Sequence, residues 1–221
     1  MFRDALVIAT KDLKIEIRSK VVTYQIIPLG LAVVLFFGIS LNGSPDLLEK
    51  TGGGLYWIAL LFTSLLAVSR SAAIESEDRA GEGLTLAGVD PAGMFLGKTL
   101  AVFAELTFVG ILVGGALLLA FHLRLVGIPV LIVSGLLGIV GLASAGTIYG
   151  GLAGSTNIKD TILPLLYFPV VSPVVLAATR AWELSLGGHA GQSGVWVRIL
   201  FVFALIYCVV GIIFYERILE I

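Results

Sequence analysis

Residues 128 to 150, I-P-V-L-I-V-S-G-L-L-G-I-V-G-L-A-S-A-G-T-I-Y-G, contain no charged side chain and no alternation of polar with apolar positions. A run of about 20 apolar residues is what a helix needs to cross a ~30 Å hydrocarbon core. Lipid offers no hydrogen-bond partner to bare backbone, so a spanning segment is a helix or a strand of a closed barrel, and barrel strands alternate every second residue. The segment therefore predicts a transmembrane helix. Five more runs of the same kind follow, at about 21–41, 54–69, 97–121, 161–179 and 197–215.

Composition agrees with that reading. Of 221 residues, 58% are hydrophobic and only 13% charged, with a mean hydropathy of +1.05, against roughly 25% charged in a soluble chain. The expected fold is an all-α integral membrane protein, with an amphipathic interfacial helix over residues 1–20 and six transmembrane helices over 21–221. Nothing of the length needed for a soluble catalytic domain is left over. The net charge of −1 gives no basic surface for nucleic acid. Cys208 is the only cysteine, so no internal disulfide forms. Residues 1–20 are long, charged and mixed, unlike a cleavable signal.

Lysine and arginine resist translocation and so report orientation. With the N-terminus inside, the inner segments hold Arg3, Lys11, Lys14, Arg18, Lys20, Arg70, Arg79, Lys98, Lys159 and Arg217, and the outer ones only Lys50, Arg124, Arg180 and Arg198. Both termini and the segment 70–98 are expected in the cytoplasm. In residues 2–20, Phe2, Leu6, Ala9, Leu13 and Ile17 recur at helical spacing while Arg3, Lys11, Lys14 and Arg18 gather elsewhere, as in a helix lying in the membrane interface; Ile8 and Ile15 fall off the apolar stripe.

The segment 70–98 holds eight of the 29 charged residues: Arg70, Glu75, Glu77, Asp78, Arg79, Glu82, Asp90 and Lys98. So dense a charged stretch between two spans must sit in water, where it can meet a soluble partner. Glu75 and Arg79, at i,i+4, favour continuation of the second span past the membrane, and Gly81 and Gly83 should break it. Asp90 then reads as the N-cap of the third span, with Pro91 in its first turn. The fifth run carries Pro164, Pro169 and Pro173, each removing a backbone donor. Residues 180–197, with Arg180, Trp182, Glu183, His189 and Trp196, read as an outer loop with its tryptophans at headgroup level. Gly146, Gly150 and Gly154, and Gly110 with Gly114, form small-residue ridges suited to close helix packing or to a dimer contact.

Few residues suggest chemistry. A-G-M-F-L-G-K-T at 92–99 nearly spells a phosphate-binding loop, but Ala92 stands where a glycine is needed and the stretch leads into a span. Lys98 is expected to snorkel to the cytoplasmic interface. Glu105 lies roughly 10 Å deeper on the same helix, where an ionisable group is costly and suits a protein interior or an aqueous pathway. His122 and His189 could each ligate a metal or haem iron, but no second ligand accompanies either. No nucleophile, triad or carboxylate pair assembles, so no enzymatic activity and no cofactor is expected.

Four stretches carry a resemblance: Y-W-I-A-L-L-F-T-S-L-L-A-V-S-R at 56–70, E-S-E-D-R-A-G-E-G-L-T-L-A-G-V-D-P at 75–91, L-G-K-T-L-A at 96–101 and D-T-I-L-P-L-L-Y-F-P-V-V-S-P-V-V-L-A-A at 160–178. With the six-span plan, they resemble the cytochrome c maturation permeases of the haem exporter protein B family, membrane subunits of type-2 ATP-binding-cassette exporters. The resemblance implies a multi-pass protein of the cytoplasmic (inner) membrane, working with a cytosolic ATPase. It also implies a haem-handling membrane subunit, a haem chaperone, and pairing with a like or unlike permease subunit. The tryptophan-rich W-G-x-x-W-x-W-D type motif of the haem-handling subunit is absent, so this chain resembles the coupling subunit. Two departures are an acid-rich 75–82 and a short loop at Asn157 to Asp160. On this reading Glu75, Glu77, Asp78, Arg79 and Glu82 form the surface the ATPase pushes on. Two alternatives stay open: a type-2 exporter of lipid, polysaccharide or drug, and an ion-coupled carrier using Glu105.

Overall fold

The computed structural model describes residues 1–41, 45–76, 88–121, 125–154 and 159–219. Helix α1 covers Phe2–Ser19; a π-helical turn, Val22–Ile26, leads into α2, Ile27–Ser40. Then come α3 (Pro45–Ser76), α4 (Pro91–Phe121), α5 (Ile128–Gly154) and α6 (Lys159–Leu186). A short 3-10 turn, Ala190–Ser193, precedes α7, Gly194–Leu219. Six helical runs are long and apolar enough to cross a membrane: Val22–Ser40, Lys50–Ala73, Pro91–Phe121, Ile128–Ala153, Leu163–Leu186 and Ala190–Ile218. The all-α, six-span architecture expected from the sequence is the one found.

Local chemistry sets several boundaries. The Asp90 carboxylate accepts from the Ala92 amide at 3.3 Å and its carbonyl accepts from Met94 at 2.9 Å, so Asp90 caps α4 as expected, with Pro91 fixing φ at the first helical position. Before α5, Gly127 sits at φ 67°, where a side chain would be strained. The Ser185 hydroxyl, from the end of α6, lies 3.0 and 3.1 Å from the Val126 and Gly127 carbonyls and fastens this corner.

Helix α3 occupies the centre, packed on α2, α4, α5 and α6. Trp57, Leu60, Leu106, Leu142, Tyr167 and Leu200 are buried in the common core. Both glycine ridges work inside the chain: a side chain at Gly146 would strike Val68, and one at Gly110 would come within 2.7 Å of the Tyr56 hydroxyl. That is how backbones approach in lipid, where packing rather than hydrophobicity holds helices together.

Helix α6 runs unbroken through Pro164, Pro169 and Pro173. A proline at 173 leaves the carbonyl of residue 169 without its helical donor, and the Ser172 hydroxyl donates to that carbonyl at 2.8 Å. The Tyr207 hydroxyl, from α7, donates to the Val170 carbonyl at 2.7 Å. Ser172 thus supplies the donor that Pro173 lacks, and Tyr207 ties α7 to α6.

The outer segment departs from expectation. Residues 180–186 are helical, the last turns of α6, and 194–197 already belong to α7. The polar pair that made 180–183 look like loop is internally satisfied, Arg180 reaching Glu183 at 2.8 Å one turn on. Trp182 stacks on Tyr56, rings 4.1 Å apart and 13° from parallel.

The Tyr167 hydroxyl donates to the Leu142 carbonyl at 3.1 Å and lies 2.9 Å from the Ser64 hydroxyl, joining α6, α5 and α3 in the dry core. Tyr167→Phe is expected to lower unfolding stability by about 1 kcal/mol, read by denaturation of the reconstituted protein; no change would mean the network carries no weight.

Candidate functional site

A cluster of charged groups forms where α1 lies across the N-terminal half of α4. The close approach is possible because Gly93 and Gly97, one turn apart on α4, have no side chains. A Cβ at Gly97 would lie 2.7 Å from the Ala5 carbonyl and 2.8 Å from Ile8, and one at Gly93 would lie 2.9 Å from the Met1 carbonyl. The face of α1 turned inward carries Ala5, Ile8, Ala9, Asp12 and Glu16. Of the apolar stripe read from the sequence, Phe2, Leu6 and Ile17 point away from the protein, each at least 65% exposed, while Ala9 of that stripe and Ile8, which lay off it, are buried. The helix is amphipathic with the polar acids inside. Arg3, Lys14 and Arg18 are exposed.

Lys98 meets those acids. It is 2% exposed, so it does not snorkel, and its Nζ lies 3.4 Å from the Asp12 carboxylate. Lys11, half-exposed at the rim, approaches the other Asp12 oxygen at 3.1 Å. One turn along, Glu16 interacts with Arg70 of α3, and burial holds its carboxyl above the ordinary glutamate range against the pull of that guanidinium and of a hydrogen bond from Ser19. Glu105 of α4 faces Glu16 and shares a small cavity with it. At the outer edge the Met1 ammonium lies 3.4 Å from Asp90, so the starts of α1 and α4 are tied as well. Burying Lys98 and Asp12 is tolerable only because each neutralises the other.

Residues 92–99 are helical, and Lys98 is directed at Asp12, which leaves no phosphate-cradling loop. His189 is exposed between α6 and the 3-10 turn, its amide donating to the Leu184 carbonyl at 2.7 Å. Pro164, Pro169 and Pro173 lie within α6, apart from the charge cluster. Glu75 belongs to the last turn of α3; Glu77, Asp78, Arg79, Glu82 and His122 fall outside the described residues. The sequence thus marked Lys98 and Glu105 and missed Asp12, Glu16 and Arg70. The missed signal is a matching pair of patterns, Ala5/Ala9 with Asp12/Glu16 on α1 and Gly93/Gly97 on α4.

A family model described as CcmB protein matches residues 3–215, from the first turn of α1 to Tyr215 in α7. The chain belongs to the CcmB family. It is similar to heme exporter protein B of Pseudomonas aeruginosa, 30% identical over 176 residues that cover 78% of each chain. The Asp12–Lys98 joint lies inside the region that defines this membership, in a multi-pass permease that has six spans.

Removing Asp12 takes from buried Lys98 its ion pair to α1, and removing Lys98 leaves the buried Asp12 carboxylate only Lys11 at the rim. Asp12→Leu or Lys98→Met is expected to cost about 3 kcal/mol, and the double substitution less than either. Thermal unfolding in detergent reads this; simple addition of the two single effects would show the pair is not coupled.

Proposed function

We propose that this CcmB-family chain is the membrane subunit of an ATP-binding-cassette complex for c-type cytochrome biogenesis, acting in haem export or in the release of a haem-loaded chaperone. The observation that carries the proposal is the family match along 3–215 together with the similarity to a heme exporter protein B. In this reading the work comes from a separate cytosolic ATPase. A haem-handling membrane subunit, a haem chaperone and a like or unlike permease subunit complete the assembly. The membrane is the inner one, with both termini and residues 70–98 in the cytoplasm. Phe2, Leu6, Val7 and Ile17 on the outer face of α1 suit contact with lipid.

The drive enters through residues 75–82, between the end of α3 and the start of α4. Closure of the ATPase pushes on this acidic stretch, and each flanking helix passes the displacement on. Helix α3 stands at the centre of the bundle, and α4 carries α1 with it through Lys98. Such a push shifts the bundle between two states only if the contacts differ in energy between them; charge pairs from Glu75, Glu77, Asp78 and Glu82 to basic ATPase residues supply that difference.

Glu75→Lys with Asp78→Lys is expected to leave the protein in the membrane and the complex assembled, while ATP hydrolysis no longer yields haem-bound c-type cytochromes. The check is haem staining of cytochromes beside ATPase activity of the purified complex. Normal maturation in the double variant would contradict the proposal.

A further inference from the structure

Two glutamate oxygens at the α1–α4 joint remain without a hydrogen-bond partner although they are shut off from solvent, Oε1 of Glu16 and Oε1 of Glu105, and beside them Oδ1 of Asp12 has only its ion pair to Lys11. Glu16 is only 6% exposed. Both line a cavity of about 20 Å³ that also touches Asp12 and Ser71. A space of about 10–15 Å³ by the same measure admits one water, provided two to four polar groups surround it. The cavity meets both conditions.

The charges around it balance in number but not in place. On α1 the facing groups are Lys11, Asp12 and Glu16, on α3 Arg70, and on α4 Lys98 and Glu105, three cations with three carboxylates. Both lysines are drawn to Asp12, Lys98 from inside and Lys11 from the rim. Arg70 acts on Glu16, whose like-charged neighbours are Asp12 and Glu105. Among the described residues no cation is set against Glu105. Glu16 and Glu105 thus have one guanidinium for two carboxyl groups that face the same water-sized space, a local excess of one negative charge.

We propose that this cavity is a proton-binding site, in which one water and one proton are held between the Glu16 and Glu105 carboxyl groups and link α1 to α4. The proton converts one carboxylate into a donor, so both orphaned oxygens gain partners through the water. Losing it puts two negative charges on facing helices with a single guanidinium between them. The direction in pH follows: because burial holds Glu16 above the ordinary glutamate range, the proton stays bound to a higher pH than on a free glutamate and is lost as pH rises through that elevated range. Docking of α1 on α4 weakens in that direction. This site is independent of the cytochrome-biogenesis reading and stands or falls by itself.

Infrared difference spectroscopy of the full chain in lipid nanodiscs tests it. The expected result is a protonated-carboxyl C=O band that persists above the pH at which a free glutamate ionises, shifts in heavy water and disappears on further alkalinisation. Glu16→Gln and Glu105→Gln each remove the excess charge, so each should abolish that band. No such band in the unaltered protein overturns the site without recourse to any variant. A band retained in both variants, or lost in only one, overturns the shared proton. Hydrogen exchange supplies the second measurement: after correction for intrinsic chemistry, protection of α1 amides should fall in the unaltered chain over the pH range in which the band disappears and stay level in Glu105→Gln. Level protection in the unaltered chain would overturn the link to docking.

Discussion

An ammonium with almost no access to water sits where α1 crosses α4, and the arrangement of this end of the protein follows from it. A lone buried cation would be too costly to keep, so the helix that brings Asp12 is bound to stay with the helix that brings Lys98. The approach needed for that contact is met by Gly93 and Gly97, which let the α1 backbone lie on α4. With Asp90 meeting the terminal ammonium at the rim, α1 is fixed to the membrane bundle along its length rather than floating beside it. Helix α4 therefore has α1 fastened to it.

The number of spans, their helical nature and the Asp90–Pro91 start of α4 were legible because each depends on a short stretch of chain: an apolar run of membrane length, or a cap and its proline. The glycine ridges were legible as close-packing sites for the same reason. The inward face of α1 was not. An apolar stripe laid toward the interface leaves open what the opposite face meets, and that face carries Asp12 and Glu16 into the protein. Their partner on α4 lies 86 residues away in sequence. The helical state of residues 180–186 was hidden in a related way, since the Arg180–Glu183 pair is polar yet satisfied within one helical turn, and Tyr56, on which Trp182 stacks, belongs to α3.

The rest of the bundle is built to keep its shape in lipid. Ser172 and Tyr207 supply donors to the proline-rich helix, and Tyr167 links three helices where no water can substitute. Against that rigid background the polar joint is where ionisable groups concentrate, close to the connection through which the ATPase is proposed to act. Membership of the CcmB family accounts for a chain that has spans but no engine. A displacement entering between α3 and α4 reaches the buried charges before it reaches the core.

That account requires the acidic connection and α1 to face the cytosol. Single cysteines placed by Glu82→Cys and by Gln192→Cys, each in a Cys208→Ala background, separate the two ends of the bundle. A membrane-impermeant thiol reagent should label the Gln192→Cys protein in cells with permeabilised outer layers and intact inner membranes, and the Glu82→Cys protein only in inverted inner-membrane vesicles. Labelling of Glu82→Cys from the outside would put the acidic segment beyond reach of any cytosolic ATPase and contradict the mechanism at its root.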